Sequence, residues 1–154
     1  MRRPIPPLLA AAALAAGCGL RSTAPTAQVE EAWVRLPAVP GRPAAGYFRI
    51  EIGGGTRETL VAVESPSARR IDMHMTATEN GRTTMRALDE ASTRLGRPIL
   101  FEPGGRHLML HGLDPALRPG DTIELNFRFL LAPPATARAR LVAAGDEAPH
   151  GAGH

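Results

Sequence analysis

A chain of 154 residues, 44% of them apolar and 21% charged, has material for one ordinary hydrophobic core and too little for two once a leader is set aside. All 18 basic residues are arginine, and with Arg2 and Arg3 assigned to the leader 16 remain against 15 acidic residues, so the mature chain is close to neutral. With no block of like charge and only four Phe, one Trp and one Tyr, it has neither a phosphate footprint nor a stacking surface, which excludes nucleic acid as a partner.

The N-terminus reads Met1-Arg2-Arg3, then an uncharged run from Pro4 to Ala16, then Gly17-Cys18. These are the charged region, short apolar region and small-residue cleavage site of an export signal, assigned to residues 1–17. The apolar run is about a dozen residues, short of the ~20 that cross a bilayer as a helix. Leu14-Ala15-Ala16-Gly17-Cys18 looks like a bacterial lipoprotein cleavage site, with Cys18 acylated as the new first residue and Ala15 standing where Leu is usual. Ordinary signal cleavage a few residues later is the alternative. The expected location is the periplasm or cell envelope, with membrane contact through the Cys18 lipid alone. Cys18 is the only cysteine, so the domain has no thiol for a disulfide or a metal, and any soft-metal site must use methionine.

Residues 18–27, rich in Ser, Thr, Pro and Ala, read as a flexible tether, and residues 28–143 as the domain. Nine short runs follow between Gly and Pro punctuation: Val29 to Leu36, Ala45 to Ile52, Glu58 to Ser65, Arg70 to Met75, Thr83 to Leu88, Arg97 to Phe101, His107 to His111, Thr122 to Phe129 and Thr136 to Val142. Several alternate with period two. Phe48, Ile50 and Ile52 oppose Tyr47, Arg49 and Glu51, and Ile123, Leu125, Phe127 and Phe129 oppose Glu124, Asn126 and Arg128, as half-buried strands require. Asn80-Gly81 marks a hairpin, because both residues tolerate positive φ. No segment has a helical period, so the expected fold is an all-β antiparallel β-sandwich. Residues 144–154 carry no apolar pattern and are expected to be disordered.

Apart from Met1, the methionines are Met73, Met75, Met85 and Met109, close in sequence to His74, His107 and His111. One methionine is usually a flexible core filler. Alternation in Arg106-His107-Leu108-Met109-Leu110-His111, however, sets His107, Met109 and His111 on one face and the two leucines on the other. The same parity puts His74 opposite Met73 and Met75, so a regular strand cannot offer all three to one site. A set of imidazole and thioether without carboxylate or thiolate favours Cu(I), because thioether is soft and hard cations want oxygen. Neither ligand loses a proton at sulfur or is consumed by disulfide formation, which suits copper carriage outside the cytosol.

His74, Met85, His107 and Met109 follow one another with ten, twenty-one and one intervening residues. This order resembles the motif of the PCuAC periplasmic copper chaperones. The flanking words do too: Ala32-Trp33-Val34-Arg35, Ala45-Gly46-Tyr47-Phe48, Ile71-Asp72-Met73-His74-Met75, and Pro103-Gly104-Gly105-Arg106-His107-Leu108-Met109-Leu110-His111-Gly112-Leu113. The resemblance covers Val29 to Val142. It implies a cupredoxin-like sandwich holding Cu(I) on His74, Met85, His107 and Met109, and delivery of the ion to a partner such as a cytochrome c oxidase assembly factor or subunit. A storage or resistance lipoprotein without a dedicated recipient is the alternative. Met75 occupies the optional Met after the first His, and His111 stands where many relatives carry an apolar residue or Met. Both are auxiliary candidates, as are His150 and His154, which would make at most a weak Cu(II) site in the tail.

Three other classes fare worse. A blue-copper electron carrier needs a Cys thiolate beside two His, and Cys18 lies in the processing site. An enzyme is not expected, because no HExxH motif, carboxylate-rich cluster or nucleophile elbow is present. A purely structural lipoprotein leaves the common face of His107 and Met109 unexplained. The carrier is expected to be a monomer that exchanges ligands with an incoming thiolate.

Overall fold

The computed structural model describes residues 25–149; the stretch read as an export signal, Cys18, His150 and His154 lie outside them. Within that span ten strands and no helix occur: β1 (Thr26–Arg35), β2 (Ala44–Gly53), β3 (Thr59–Glu64), β4 (Arg70–Glu79), β5 (Arg82–Leu88), β6 (Ala91–Ser92), β7 (Ile99–Phe101), β8 (Arg106–His111), β9 (Thr122–Phe129) and β10 (Ala135–Val142). Each of the nine expected runs overlaps one of these strands. The two-residue β6 is additional, too short to carry an alternation. Strand β1 begins at Thr26, so the last two residues assigned to the tether instead pair with Ile52 and Gly53 of β2.

Hydrogen bonding links the strands in the order β5-β4-β8-β2-β1-β10-β9-β3-β6, with β7 on β2. Neighbouring strands lie about 4.8 Å apart, so in a flat sheet β2 and β9 would be separated by roughly 14 Å. Yet the rings of Phe48 and Phe127 meet edge to face with centroids 4.9 Å apart, and Phe48 stacks on Phe101 at 4.4 Å. The sheet therefore folds over on itself, and its two halves enclose one core that includes Val34, Ile50, Leu60, Leu108, Leu110, Leu125 and Leu141, each with no measurable exposure. Each such side chain contributes about 1.5–3 kcal/mol by leaving water.

The fold occurs along β1. Its register to β2 slips between Glu30 and Trp33, where Glu31 takes a φ of 53°, and beyond that bulge β1 also pairs with β10. A bulge bends a strand, which lets one strand serve both layers. The β1–β10 pairing is parallel, a departure from the all-antiparallel expectation; every other pairing is antiparallel.

Two features hold β8 and the β4–β5 hairpin in place. A Cβ on Gly46 would lie 3.0 Å from Leu110 Cδ1 and 3.1 Å from Leu108 Cβ, so the absence of a side chain there lets β8 close onto β2. Asn80 and Gly81 turn with φ of 51° and 73°, the double positive φ of the tight hairpin expected from their sequence. After β10 the chain turns back through Asp146, whose carboxylate accepts from the Ala143 amide at 3.1 Å and whose carbonyl accepts from the Arg35 guanidinium at 3.1 Å. Residues 144–149, the described part of the tail expected to be disordered, thus begin with a structured turn.

Candidate metal centre

In antiparallel strands, directly paired residues project from the same face. Leu108 pairs with Met73 and Leu110 with Ile71, and this face turns into the core; Met73 is 6% exposed. His107 pairs with His74 and Met109 with Asp72, on the opposite face. Across β4, Thr76 pairs with Met85, which brings β5's methionine onto that same outer face, diagonal to His74. Three neighbouring strands therefore present His74, Met85, His107 and Met109 to one side of the sheet, with Ala45, paired to Met109, as a small neighbour on β2.

The closest approach joins the two outer strands over the middle one: His107 Nε2 lies 3.3 Å from Met85 Sδ. On the other side of the ring, Nδ1 lies 3.1 Å from the carbonyl oxygen of Gly105. A carbonyl only accepts, so the proton sits on Nδ1 and the Nε2 lone pair faces the thioether. Two electron-pair donors aimed at each other are an arrangement that a soft cation relieves. The carbonyl behind the ring fixes both its orientation and its tautomer, the role that outer hydrogen-bond acceptors play at metal-bound imidazoles. Gly105 belongs to the turn after β7, where Gly104 takes a φ of 83°, and its carbonyl also accepts from the Thr76 amide of β4 at 3.0 Å. Nothing in the spacing of His and Met identifies Gly105 as this support; the only signal is the Pro103-Gly104-Gly105 turn itself.

The His74 ring lies 5.9 Å from that of His107, centroid to centroid, with 29° between their planes. Its Nδ1 is buried and has no hydrogen-bond partner, a cost that ligation would remove. Burial, followed by the neighbouring His107, pushes the His74 pKa below 6.5, with Asp72 opposing. A ring kept neutral retains the lone pair a metal needs.

Burial grades the set. His107 is 9% exposed and Met85 54%. Met85 stands on β5, an edge strand that pairs only with β4, whereas His107 sits on β8, an inner strand flanked by β4 and β2. One side of the set is open to solvent and the other is closed.

The auxiliary candidates separate. Met75 pairs with Arg86 and Arg106, on the face turned away from His74, so it does not join the four. His111 shares the outer face but its Nε2 approaches Asp72 Oδ2 at 3.1 Å, and Asp72 also meets the Arg70 guanidinium at 3.0 Å. The acidic group that occupies His111 is one the sequence did not single out. His150 and His154 lie outside the described residues. Among the described residues no three His, Cys, Asp or Glu side chains gather as a metal site, so a grouping here depends on the methionines.

Residues 27–140 match the LpqE-like lipoprotein family. A protein of Leifsonia xyli subsp. xyli named as a lipoprotein, Lxx21020, is 36% identical over 103 residues, which are 66% of this chain and 61% of that protein. The matched region thus spans less than two thirds of that relative's length. Among solved structures, the copper-bound PCuAC domain of PmoF2 superposes with a TM-score of 0.64 at 20% identity, covering 77% of this chain and 93% of that one. The solution structure of CuI-DR1885 from Deinococcus radiodurans gives 0.55 at 22% identity, covering 83% of each chain. These two likenesses show the cupredoxin-like β fold expected from the sequence. The chain belongs to the LpqE-like lipoprotein family, of PCuAC type.

Proposed function

We propose that this protein is a copper chaperone of the cell envelope, tethered through an acylated Cys18, that holds Cu(I) on His74, Met85, His107 and Met109 and passes it to a copper-accepting protein. The observation that carries this reading is the 3.3 Å approach of His107 Nε2 to Met85 Sδ, made by residues two strands apart with a carbonyl behind the imidazole. The copper-bound state of PmoF2's PCuAC domain and the CuI form of DR1885, which share the fold, support it. Family membership supports the lipid tether.

The burial gradient suggests the order of transfer. His107 and His74 anchor the ion, while Met85 on the exposed edge is the ligand an incoming thiolate reaches first. Exchange of one neutral thioether for a thiolate is associative, and no proton has to leave the carrier. In an oxidising compartment a recipient in cytochrome c oxidase assembly fits this chemistry.

The test is an anaerobic competitive Cu(I) titration of the mature chain against a chromophoric chelator, with His107→Ala and Met109→Leu beside the wild type. One tight equivalent is expected in the wild type. Loss of outer supporting groups alone costs metal sites ~10–100-fold, so His107→Ala should weaken affinity by at least about a hundredfold. Unchanged affinity in both variants would overturn the assignment.

A further inference from the structure

Strands β1 and β10 run parallel, so the start of β1 at Thr26 lies at the same end of the sandwich as the turn that precedes β10. Antiparallel pairing of β9 with β3 and of β3 with β6 brings the loop before β3 and the loop after β6 to that end as well. Three leucines project there with 61–66% exposure: Leu95, Leu130 and Leu131. Arg57, Arg94 and Arg97 stand exposed beside them. The only acidic residue in residues 53–58, 93–98 and 130–134 is Glu58, and it is 1% exposed.

Glu58 has no part in the metal centre. Its carboxylate accepts from the amides of Thr59 at 2.7 Å, Leu131 at 3.0 Å and Ala132 at 2.6 Å. Its own amide donates to Thr93 Oγ1 at 2.9 Å, and its carbonyl accepts from the Thr93 amide at 2.8 Å. Glu58 therefore ties the two together, its carboxylate holding the turn that carries Leu130 and Leu131 and its backbone holding the loop that carries Leu95, while the Arg97 amide, donating to the Arg94 carbonyl at 2.9 Å, closes that loop with Leu95 at its tip. Burying a charge is costly, and here the charge fixes side chains that contact water.

We infer that this end of the sandwich docks on the lipid surface to which the chain is anchored, Leu95, Leu130 and Leu131 entering the headgroup boundary and the arginines meeting anionic lipid. The inference rests on the lipid-anchor part of the proposed function. Cys18 is eight residues before Thr26, a reach of at most about 28 Å for extended chain, while a domain of this size is about 35 Å across. The end at which the chain enters is the end held near the bilayer. These three loops, with exposed leucines flanked by arginine and their one carboxylate buried, have the composition of an interfacial binding face, and the exposed acid at this end is Glu79, on the neighbouring β4–β5 hairpin. Glu58 acts as the positioning residue of that face.

The test uses the full chain recovered from bacterial membranes, with the Cys18 acyl group verified by mass, reconstituted into vesicles of equal parts phosphatidylglycerol and phosphatidylcholine. A bimane probe is placed by Leu95→Cys, Leu131→Cys or, at the opposite end, Ala116→Cys, all exposed positions that the fold does not depend on. The expected result is a blue shift and at least about threefold weaker iodide quenching at 95 and 131, with neither at 116. An acylated chain with no difference between the sites would overturn the docking and leave the anchor standing. An unacylated chain that shows no shift when mixed with the vesicles sinks both. A shift without vesicles that grows with protein concentration assigns the face to a second copy of the chain and overturns the lipid assignment.

Discussion

The two faces of β8 are made by one run of six residues and do opposite work. Leu108 and Leu110 are fully buried between the layers, where each excludes water and fixes the strand. His107 and Met109, alternating with them, face outward to His74 and toward the edge hairpin. The rigid face makes the other usable: a strand clamped by its leucines holds an imidazole and a thioether at constant separation. At Met109, which faces outward and lies outside the core, fold and metal grip are expected to be separable.

The largest expected effect breaks the strand from its core side. Leu110→Ala should cost about 2–5 kcal/mol in chemical denaturation, whereas Met109→Leu, nearly volume-conserving and outside the core, should cost less than about 1.5 kcal/mol. Copper affinity should show the reverse ranking among variants that remain folded. If Met109→Leu destabilises the domain as much as Leu110→Ala does, the two faces are not separable.

A smaller effect sharpens the outward face. The His74 pKa is lowered below 6.5 in the folded chain, chiefly by burial and then by His107. The unfolded chain therefore takes up a proton at His74 at a higher pH than the folded chain does, and the metal-free domain loses stability as pH falls from 6.5 toward the folded value. His74→Gln should remove that segment of the pH dependence, and the His74 imidazole signal in an NMR titration should move at lower pH than a free histidine. A His74 midpoint above 6.5 contradicts the assignment of a neutral donor.

The smallest effect concerns the methionines. Met85 is 54% exposed and Met73 6%, so mild peroxide should convert Met85 to the sulfoxide roughly tenfold faster. Peptide mass mapping over time checks this. Bound Cu(I) should slow the Met85 reaction and leave Met73 unchanged.

Much of this was legible in the sequence. Alternation in 107–111 and 123–129 placed both the core leucines and the outward donors, and Asn80-Gly81 gave the hairpin that carries Met85. Parity also separated Met75 from His74. What escaped lies in contacts between distant segments. The bend of β1 rests on Glu31 at positive φ, a residue type that carries no signal for that conformation. The parallel β1–β10 pairing joins the first and last strands, which no local pattern reports. Glu58 reads as one more surface charge beside Arg57, because the amides that receive it come from Leu131 and Ala132, more than seventy positions later. The reach of Met85 over β4 to His107 likewise depends on side-chain direction rather than on spacing.

The placement of β1 also has a mechanical side. A pull on the chain at Thr26 acts along β1, which is held by β2 from Thr26 to Arg35 and by β10 near its far end. Such a load shears many hydrogen bonds at once instead of peeling them one by one, the orientation in which a sheet yields last. β8 is one strand removed from the loaded one, and β4 and β5 lie further still. With the chain tethered as proposed, a load from the membrane would fall first on the strand that joins the two layers and reach the donors only through β2.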